Sequence, residues 1–260
     1  MLADLHRHLD GSLRPSTLLE LARHLAVELP QDLTDLQFFP GMGLEAALAC
    51  FGVTLSVLQT PDAVKRVAAE MCEDALADQV TALEIRFAPH LHTGASPAAI
   101  VDAAREGIDG RAGLILCGLY GDPPERLEEL VELAATRPDV VALDLAGGPT
   151  PSQRYAMSDY ATAFERAMDL GLGRTVHAGE GRPPAEIRNA IQCLHATRIG
   201  HGTTLLDDPD VLELVLERGI LIEACPTSNF HTGVIPSVSA HPLPRWLELG
   251  VTVCVCTDNT

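Results

Sequence analysis

Eight short apolar runs, rich in β-branched residues, alternate along the chain with longer helix-patterned stretches. Such alternation predicts an α/β fold whose strands lie parallel, with helices covering both faces of the sheet. Eight strands of this kind predict closure into a (β/α)8 TIM barrel. The length agrees: the chain has 260 residues, and barrels of this type run to about 250 residues as one unit. A third observation is positional. The polar residues best suited to chemistry fall at the C-terminal ends of the predicted strands, the catalytic face of such a barrel.

The strands are expected at residues 2–8, 81–88, 112–120, 139–146, 173–178, 198–202, 219–225 and 251–257. The helices are expected near 15–26, 61–78, 96–109, 123–136, 152–170, 183–195, 208–218 and 241–249. Pro15, Pro61, Pro97, Pro123 and Pro183 fall in first helical turns, where a missing N–H costs nothing. The segment 27–60 is the least regular, and its Phe38-Phe39-Pro40-Gly41-Met42-Gly43 stretch reads as a loop or lid. With no linker, repeat or low-complexity tract, residues 1–260 read as a single barrel domain.

The eighth strand breaks the pattern, because the sequence stops at Thr260 where a further helix belongs. The predicted barrel therefore lacks its final helix. If Asp258 points inward, Cys256, Cys254 and Thr252 share its face, and Val255, Val253 and Val251 face outward and stay wet. Burying each valine would contribute roughly 1.5 kcal/mol or more, so a chain that continues further, or a partial fold, is the expectation.

Composition narrows the partners. The formal charge is −18, from 18 basic against 36 acidic residues, which disfavours nucleic acid and anionic membranes. No apolar run approaches the ~20 residues that span a bilayer. The start, Met1-Leu2-Ala3-Asp4, has no basic or signal-like region. Seven cysteines without a C-x-x-C spacing read as reduced core residues of a cytoplasmic protein. The oligomeric state is left open.

Three distant segments carry the chemistry: His6-Arg7-His8, His177-Ala178-Gly179-Glu180 and Thr257-Asp258. Histidines one residue apart on a strand point the same way, so one metal ion can take both imidazoles. His177 and Asp258 complete a set of three nitrogens and one oxygen. Such a set with an open position suits a hydrolytic Zn²⁺ that activates water, with iron(II) as the alternative for N/O ligands. Glu180 sits three residues past His177 as a candidate proton carrier. His24, His90, His92, His195, His231 and His241 share no ligand spacing and read as structural or solvated, although His231 follows Asn229-Phe230 near the expected mouth.

These segments, with Leu5-His6-Arg7-His8-Leu9-Asp10-Gly11-Ser12, Asp144-Leu145-Ala146-Gly147, Arg198-Ile199-Gly200-His201-Gly202 and Cys225-Pro226-Thr227-Ser228-Asn229, resemble the adenosine deaminase family. The match is colinear and spans nearly the whole chain. The resemblance implies a zinc-dependent (β/α)8 barrel of the amidohydrolase superfamily that deaminates adenosine or 2′-deoxyadenosine in purine metabolism. It implies one zinc per chain, held by His6, His8, His177 and Asp258. Glu180 would protonate purine N1, and His201 would act as base or electrostatic orienter for the attacking hydroxide. Asp10 would meet a ribose hydroxyl, and the Gly147 N–H would meet N3. On the residues alone, Asp10 could instead cap the turn before Pro15, and Gly147 could serve only a tight turn.

Two positions depart from the family pattern. Many members have two consecutive aspartates where this chain has Asp258-Asn259, and the second meets N7. An acceptor at N7 needs a donor, which an asparagine amide supplies in every protonation state. Gly147-Gly148-Pro149 replaces the acidic residues often found after the glycine, which bears on the sugar side of the substrate. Other expected substrates within the class are free adenine, a menaquinone precursor such as aminodeoxyfutalosine, or an N6-substituted adenine nucleotide. A purine-binding relative without turnover is the alternative from a different class.

Overall fold

A computed structural model of the chain describes residues 2–30, 33–36, 38–148 and 153–259. Eight strands form one sheet: β1 (Leu2–His8), β2 (Val80–Phe87), β3 (Gly113–Leu119), β4 (Val140–Ala146), β5 (Gly173–Ala178), β6 (Arg198–His201), β7 (Leu221–Ala224) and β8 (Thr252–Val255). Their spatial order is their chain order, β1 through β8. Every neighbouring pair is parallel, with registers such as Ile85↔Leu114, Asp144↔Thr175 and His177↔Gly200. The last turn of chain returns to the first strand. Asp258 N–H donates to the His6 carbonyl at 2.8 Å, and His8 N–H donates to the Asp258 carbonyl at 2.8 Å. This link makes a nearly closed (β/α)8 TIM barrel.

The helices are α1 (Pro15–Leu25), α2 (Leu44–Val57), α3 (Pro61–Ala77), α4 (Pro97–Ile108), α5 (Pro124–Ala135), α6 (Ala161–Asp169), α7 (Ala185–Cys193), α8 (Pro209–Arg218), α9 (Pro226–His231) and α10 (Leu243–Glu248). Several begin where a side chain satisfies an orphan N–H. Thr60 accepts from Ala63 N–H, Ser96 from Ala99 N–H, and Asp208 from Asp210 and Val211 N–H. The core lies between the ring of helices and the outer face of the strands. Val64, Val67 and Met71 of α3 and Ile100 and Val101 of α4 are fully buried there, against strand residues such as Ile85 and Leu114.

Three features differ from the sequence expectations. The irregular segment 27–60 holds a 14-residue helix, α2. Its sequence is apolar but for Glu45, Thr54 and Ser56, so its polar stripe is too thin to read. The helix expected over 152–170 is regular only from Ala161, after a short 3-10 turn at Met157–Tyr160; Pro149 and residue 152 lie outside the described residues. On β8 the alternation holds in part. Val255 is 56% exposed, as an outward valine without a covering helix would be, but Val251 is only 4% exposed. It precedes the strand and is tied to the Trp246 carbonyl at 3.0 Å, so α10 covers it. Thr252, expected inward, is exposed because it opens the strand at the N-terminal rim. No helix follows β8 among the described residues.

The 38–43 stretch is irregular, as expected of a loop, and Gly41 N–H donates to the Phe230 carbonyl of α9 at 3.4 Å. Phe38 thereby comes to line the cavity at the catalytic end of the barrel.

Candidate active site and metal centre

The C-terminal ends of β1, β5 and β6 and the turn after β8 converge on one buried cluster. His6 and His8 leave β1 on the same face, as period two requires. His8 Nε2 and His177 Nε2 stand 3.2 Å apart. Asp258 Oδ1 lies 3.5 Å from both His6 Nε2 and His8 Nε2. Four atoms held tetrahedrally at about 2.0–2.1 Å from a zinc ion would stand about 3.3–3.4 Å from one another, which matches these separations.

The hydrogen bonds behind the rings fix which nitrogen faces the cluster. His6 Nδ1 is 2.8 Å from Glu223 Oε2, and His177 Nδ1 is 3.1 Å from the Asp144 carboxylate. A proton shared with each carboxylate leaves a lone pair on each Nε2. His6 Nε2 is buried and has no hydrogen-bond partner, an orphan that a cation would satisfy. Burial and Arg86 work against charge on His6, yet Asp258 and Glu223 outweigh them and raise it to about 9. That field favours a positive charge at His6 Nε2, whether a proton or a metal ion. Burial lowers His8, His177 and His201, keeping their lone pairs free. Burial opposes charge on Asp258 too, but the His6 ring 3.5 Å away, with His201 and His8, holds it well below the usual carboxylate range. Ser228 Oγ donates to its Oδ2 at 2.6 Å, leaving Oδ1 for the cluster. The described residues thus fit a divalent metal with three imidazoles and one carboxylate. Cys225 lies near His6 and Asp258, but burial raises its thiol and its Sγ is 3.7 Å from the Glu223 carbonyl.

Glu180 and His201 face the same space. Glu180 sits in a turn between Gly179 (φ 67°) and Gly181 (φ 64°), where only glycine adopts the backbone without strain. Burial, helped by the charge of Asp258, pushes its carboxyl up to about 7. Asn229, fully buried within α9, serves both groups. Its amide donates to His201 Nδ1 at 3.1 Å and to Glu180 Oε1 at 3.4 Å. His201 has φ 68° and Asp258 φ 66°, so two of the converging side chains stand on left-handed backbone.

A cavity of about 310 Å³ opens over the cluster, with His8, His177, Glu180, His201 and Asp258 in its polar wall. Phe38, Phe51, Leu55, Leu91 and Leu119 form its apolar wall. Asp10, Gly147 and Asn259 also line it. Burial raises Asp10 to about 6, and its Oδ1 has no partner. Gly147 ends β4 with φ 73°. The Asn259 amide packs on Gly11, where any Cβ would overlap it, and its Oδ1 is likewise unpartnered. Eight of the nine candidate residues therefore border one space, and His6, fully buried, stands behind them against His8, His177 and Asp258. A second chamber of about 500 Å³ shares Asp10, Phe38, Phe51, Ser228 and Asn259, and His231 lines only that outer chamber. Sequence reasoning gave no role to Arg86, Glu223, Ser228 or Asn229. A charged residue inside an apolar buried strand, as at positions 86 and 223, was the available signal.

The family model for adenosine deaminase matches residues 2–260. The chain belongs to the adenosine deaminase family. Among relatives of that family, a probable adenosine deaminase of Dictyostelium discoideum is 38% identical over 99% of this chain, which spans 35% of that longer protein. The adenosine deaminase of Enterococcus faecalis is 36% identical over 98% of this chain and 80% of its own length. The crystal structure of an adenine deaminase from Arthrobacter aurescens superposes with a TM-score of 0.88 at 27% identity, covering 99% of this chain and 82% of that one. Membership of the adenosine deaminase family makes this protein a hydrolytic aminohydrolase, in a family that is generally metal-dependent.

Proposed function

We propose that the chain, acting as one barrel domain, converts adenosine or 2′-deoxyadenosine to the 6-oxo nucleoside and ammonia, using one zinc ion. The observation that carries this reading is the meeting of three imidazoles and one carboxylate in one buried cluster, at the wall of a cavity that a buried acid, Glu180, also lines. His6, His8, His177 and Asp258 would hold the metal. When bound there, zinc supplies a Lewis acid that makes water nucleophilic at neutral pH.

The chain's own residues do the rest. Glu180, whose carboxyl is raised to about 7 and so keeps its proton in a large share of molecules at neutral pH, hands that proton to purine N1 as charge builds there. His201 is neutral, and its Nδ1 accepts from Asn229. Its Nε2 then carries the proton, so His201 acts as a hydrogen-bond donor that orients the attacking oxygen. Asp10 faces the sugar hydroxyls, the Gly147 N–H meets N3, and the Asn259 amide donates to N7. A volume of about 310 Å³ sits at the small end of the ~300–1,000 Å³ usual for ligand sites, which suits one nucleoside. Neither chamber has a lysine or arginine among its described lining residues. That favours a nucleoside over a nucleotide. The free thiols of Cys72, Cys117, Cys193, Cys225, Cys254 and Cys256 support a cytoplasmic setting, and no described helix is long and apolar enough to cross a membrane.

Ammonia release across adenosine, 2′-deoxyadenosine, adenine, N6-methyl-AMP and 7-deazaadenosine, on protein of measured zinc content, tests the reading. Metal-loaded protein that leaves every adenine compound unchanged would be a binding relative, not an enzyme. Turnover of adenine alone would establish the second reading, favoured by the likeness to the adenine deaminase. If the Asn259 amide donates to N7, the 7-deaza compound leaves it unpaired at a cost of about 1–3 kcal/mol. Its kcat/KM should then fall by roughly 5- to 150-fold. Equal handling of both nucleosides would remove Asn259 from the base contacts.

A further inference from the structure

Beneath the metal centre lies a fully buried cation, Arg86, near the C-terminal end of β2. Its Nη1 donates to Asp144 Oδ2 at 2.9 Å, and its Nη2 donates to Glu223 Oε2 at 2.8 Å and to the Leu5 carbonyl at 2.6 Å. Asp144 is the carboxylate behind His177, and Glu223 is the one behind His6. Leu5 is the residue from which His6 leaves. We propose that Arg86 is a positioning residue of the metal centre, one guanidinium locking the two carboxylates that aim His6 and His177. This inference rests on the metal-binding reading above.

The physical argument begins with the carboxylates. Two ionised acids close together in a buried space repel each other, and either could release its imidazole or take up a proton. A guanidinium between them lets both stay ionised. Its planar fork also fixes their directions, because each terminal nitrogen has a set donor geometry. Glu223 is further held by Thr175 Oγ1 at 3.1 Å and Arg198 Nε at 3.0 Å, whereas among the described residues the one other hydrogen bond to the Asp144 carboxylate, apart from that of His177, comes from the Cys117 thiol at 3.6 Å. The two imidazoles, 171 residues apart in sequence, are thereby tied to one rigid group.

Arg86→Lys keeps the charge but has no fork to hold both carboxylates and the Leu5 carbonyl. A control, Arg105→Lys, breaks a comparable fork between Asp102 and Asp139 on the outside of the barrel. The measurements are zinc dissociation constants by chelator competition, the visible spectrum of the cobalt(II)-substituted protein, and the melting point of metal-free protein. Arg86→Lys should bind zinc about 10- to 100-fold more weakly and show an altered cobalt spectrum, while Arg105→Lys keeps both parental values. Zinc affinity within twofold of the parent would overturn the assignment, whatever the melting point does. Should Arg86→Lys fail to fold, Asp144→Asn, Glu223→Gln and their double variant decide. A shared clamp predicts a double-variant loss smaller than the product of the single losses by more than about threefold, and simple multiplication overturns it. If the parent itself takes up neither zinc nor cobalt, the metal reading falls and carries this inference with it. If the parent binds metal and Arg86→Lys matches it, only the inference falls.

Discussion

Glu180→Gln should retain zinc at the parental level and lose on the order of 10²–10⁴ in kcat. The glutamine has nearly the same shape and fits the same turn between Gly179 and Gly181, so metal binding behind it is undisturbed. What disappears is the transferable proton. In the parent, burial raises the carboxyl from its usual value to about 7. The acid is therefore protonated below that value and is lost as pH rises through it. The parent's kcat/KM should show an alkaline limb that the glutamine variant lacks, while His201, lowered by burial, stays neutral across the same range. Loss of zinc in Glu180→Gln would move Glu180 into the ligand set. Retained activity would leave N1 protonation to another group.

Removing the metal should have an effect of comparable size, visible in stability as well as turnover. A ligand present at 100 times its dissociation constant stabilises the folded state by about 2.7 kcal/mol. For a chain of this length that corresponds to roughly 5–10 °C in melting temperature. Chelated parent should melt lower by that amount, lose ammonia release, and regain both with zinc. His177→Ala leaves the Asp144 hydrogen bond without its ring and removes one of the four donors. It should bind zinc more weakly by more than the ~10- to 100-fold typical of outer contacts, and its melting point should no longer respond to chelator. A His177→Ala protein that still melts higher with zinc would show that the ion sits elsewhere.

The strands were legible because a parallel sheet is buried on both faces, so its segments read as unbroken apolar runs. The convergence of His6, His8, His177 and Asp258 was legible for a related reason. Histidines and an aspartate have few structural uses at strand ends, and the His6–His8 spacing states a shared direction by itself. The network behind them was not legible. Arg86 and Glu223 are 137 residues apart, and nothing local in either strand says that they meet. Asn229 was quoted only as part of a motif, since one asparagine after Cys225-Pro226-Thr227-Ser228 carries no period that points at Glu180 and His201. Helix α2 was hidden by its own uniformity. Leu44–Val57 lies over the apolar wall of the cavity, where Ala47, Phe51 and Leu55 border the inner space and Cys50 and Thr54 the outer one. A helix with interior surroundings on more than one side has no polar face to betray its pitch.

The left-handed backbone at His201 and Asp258 has a consequence for how such a sequence ages. A side chain in that region costs about 1–2 kcal/mol relative to ordinary backbone, and it persists only where the surroundings insist on it. At both positions glycine or asparagine would sit more comfortably, and neither could replace the imidazole or the carboxylate in the roles proposed for them. Selection for catalysis and selection for a durable fold therefore pull these two codons in opposite directions. In a lineage freed from the need to turn over substrate, they are where substitutions should accumulate early, and the barrels that result should be hardier than the working ancestor.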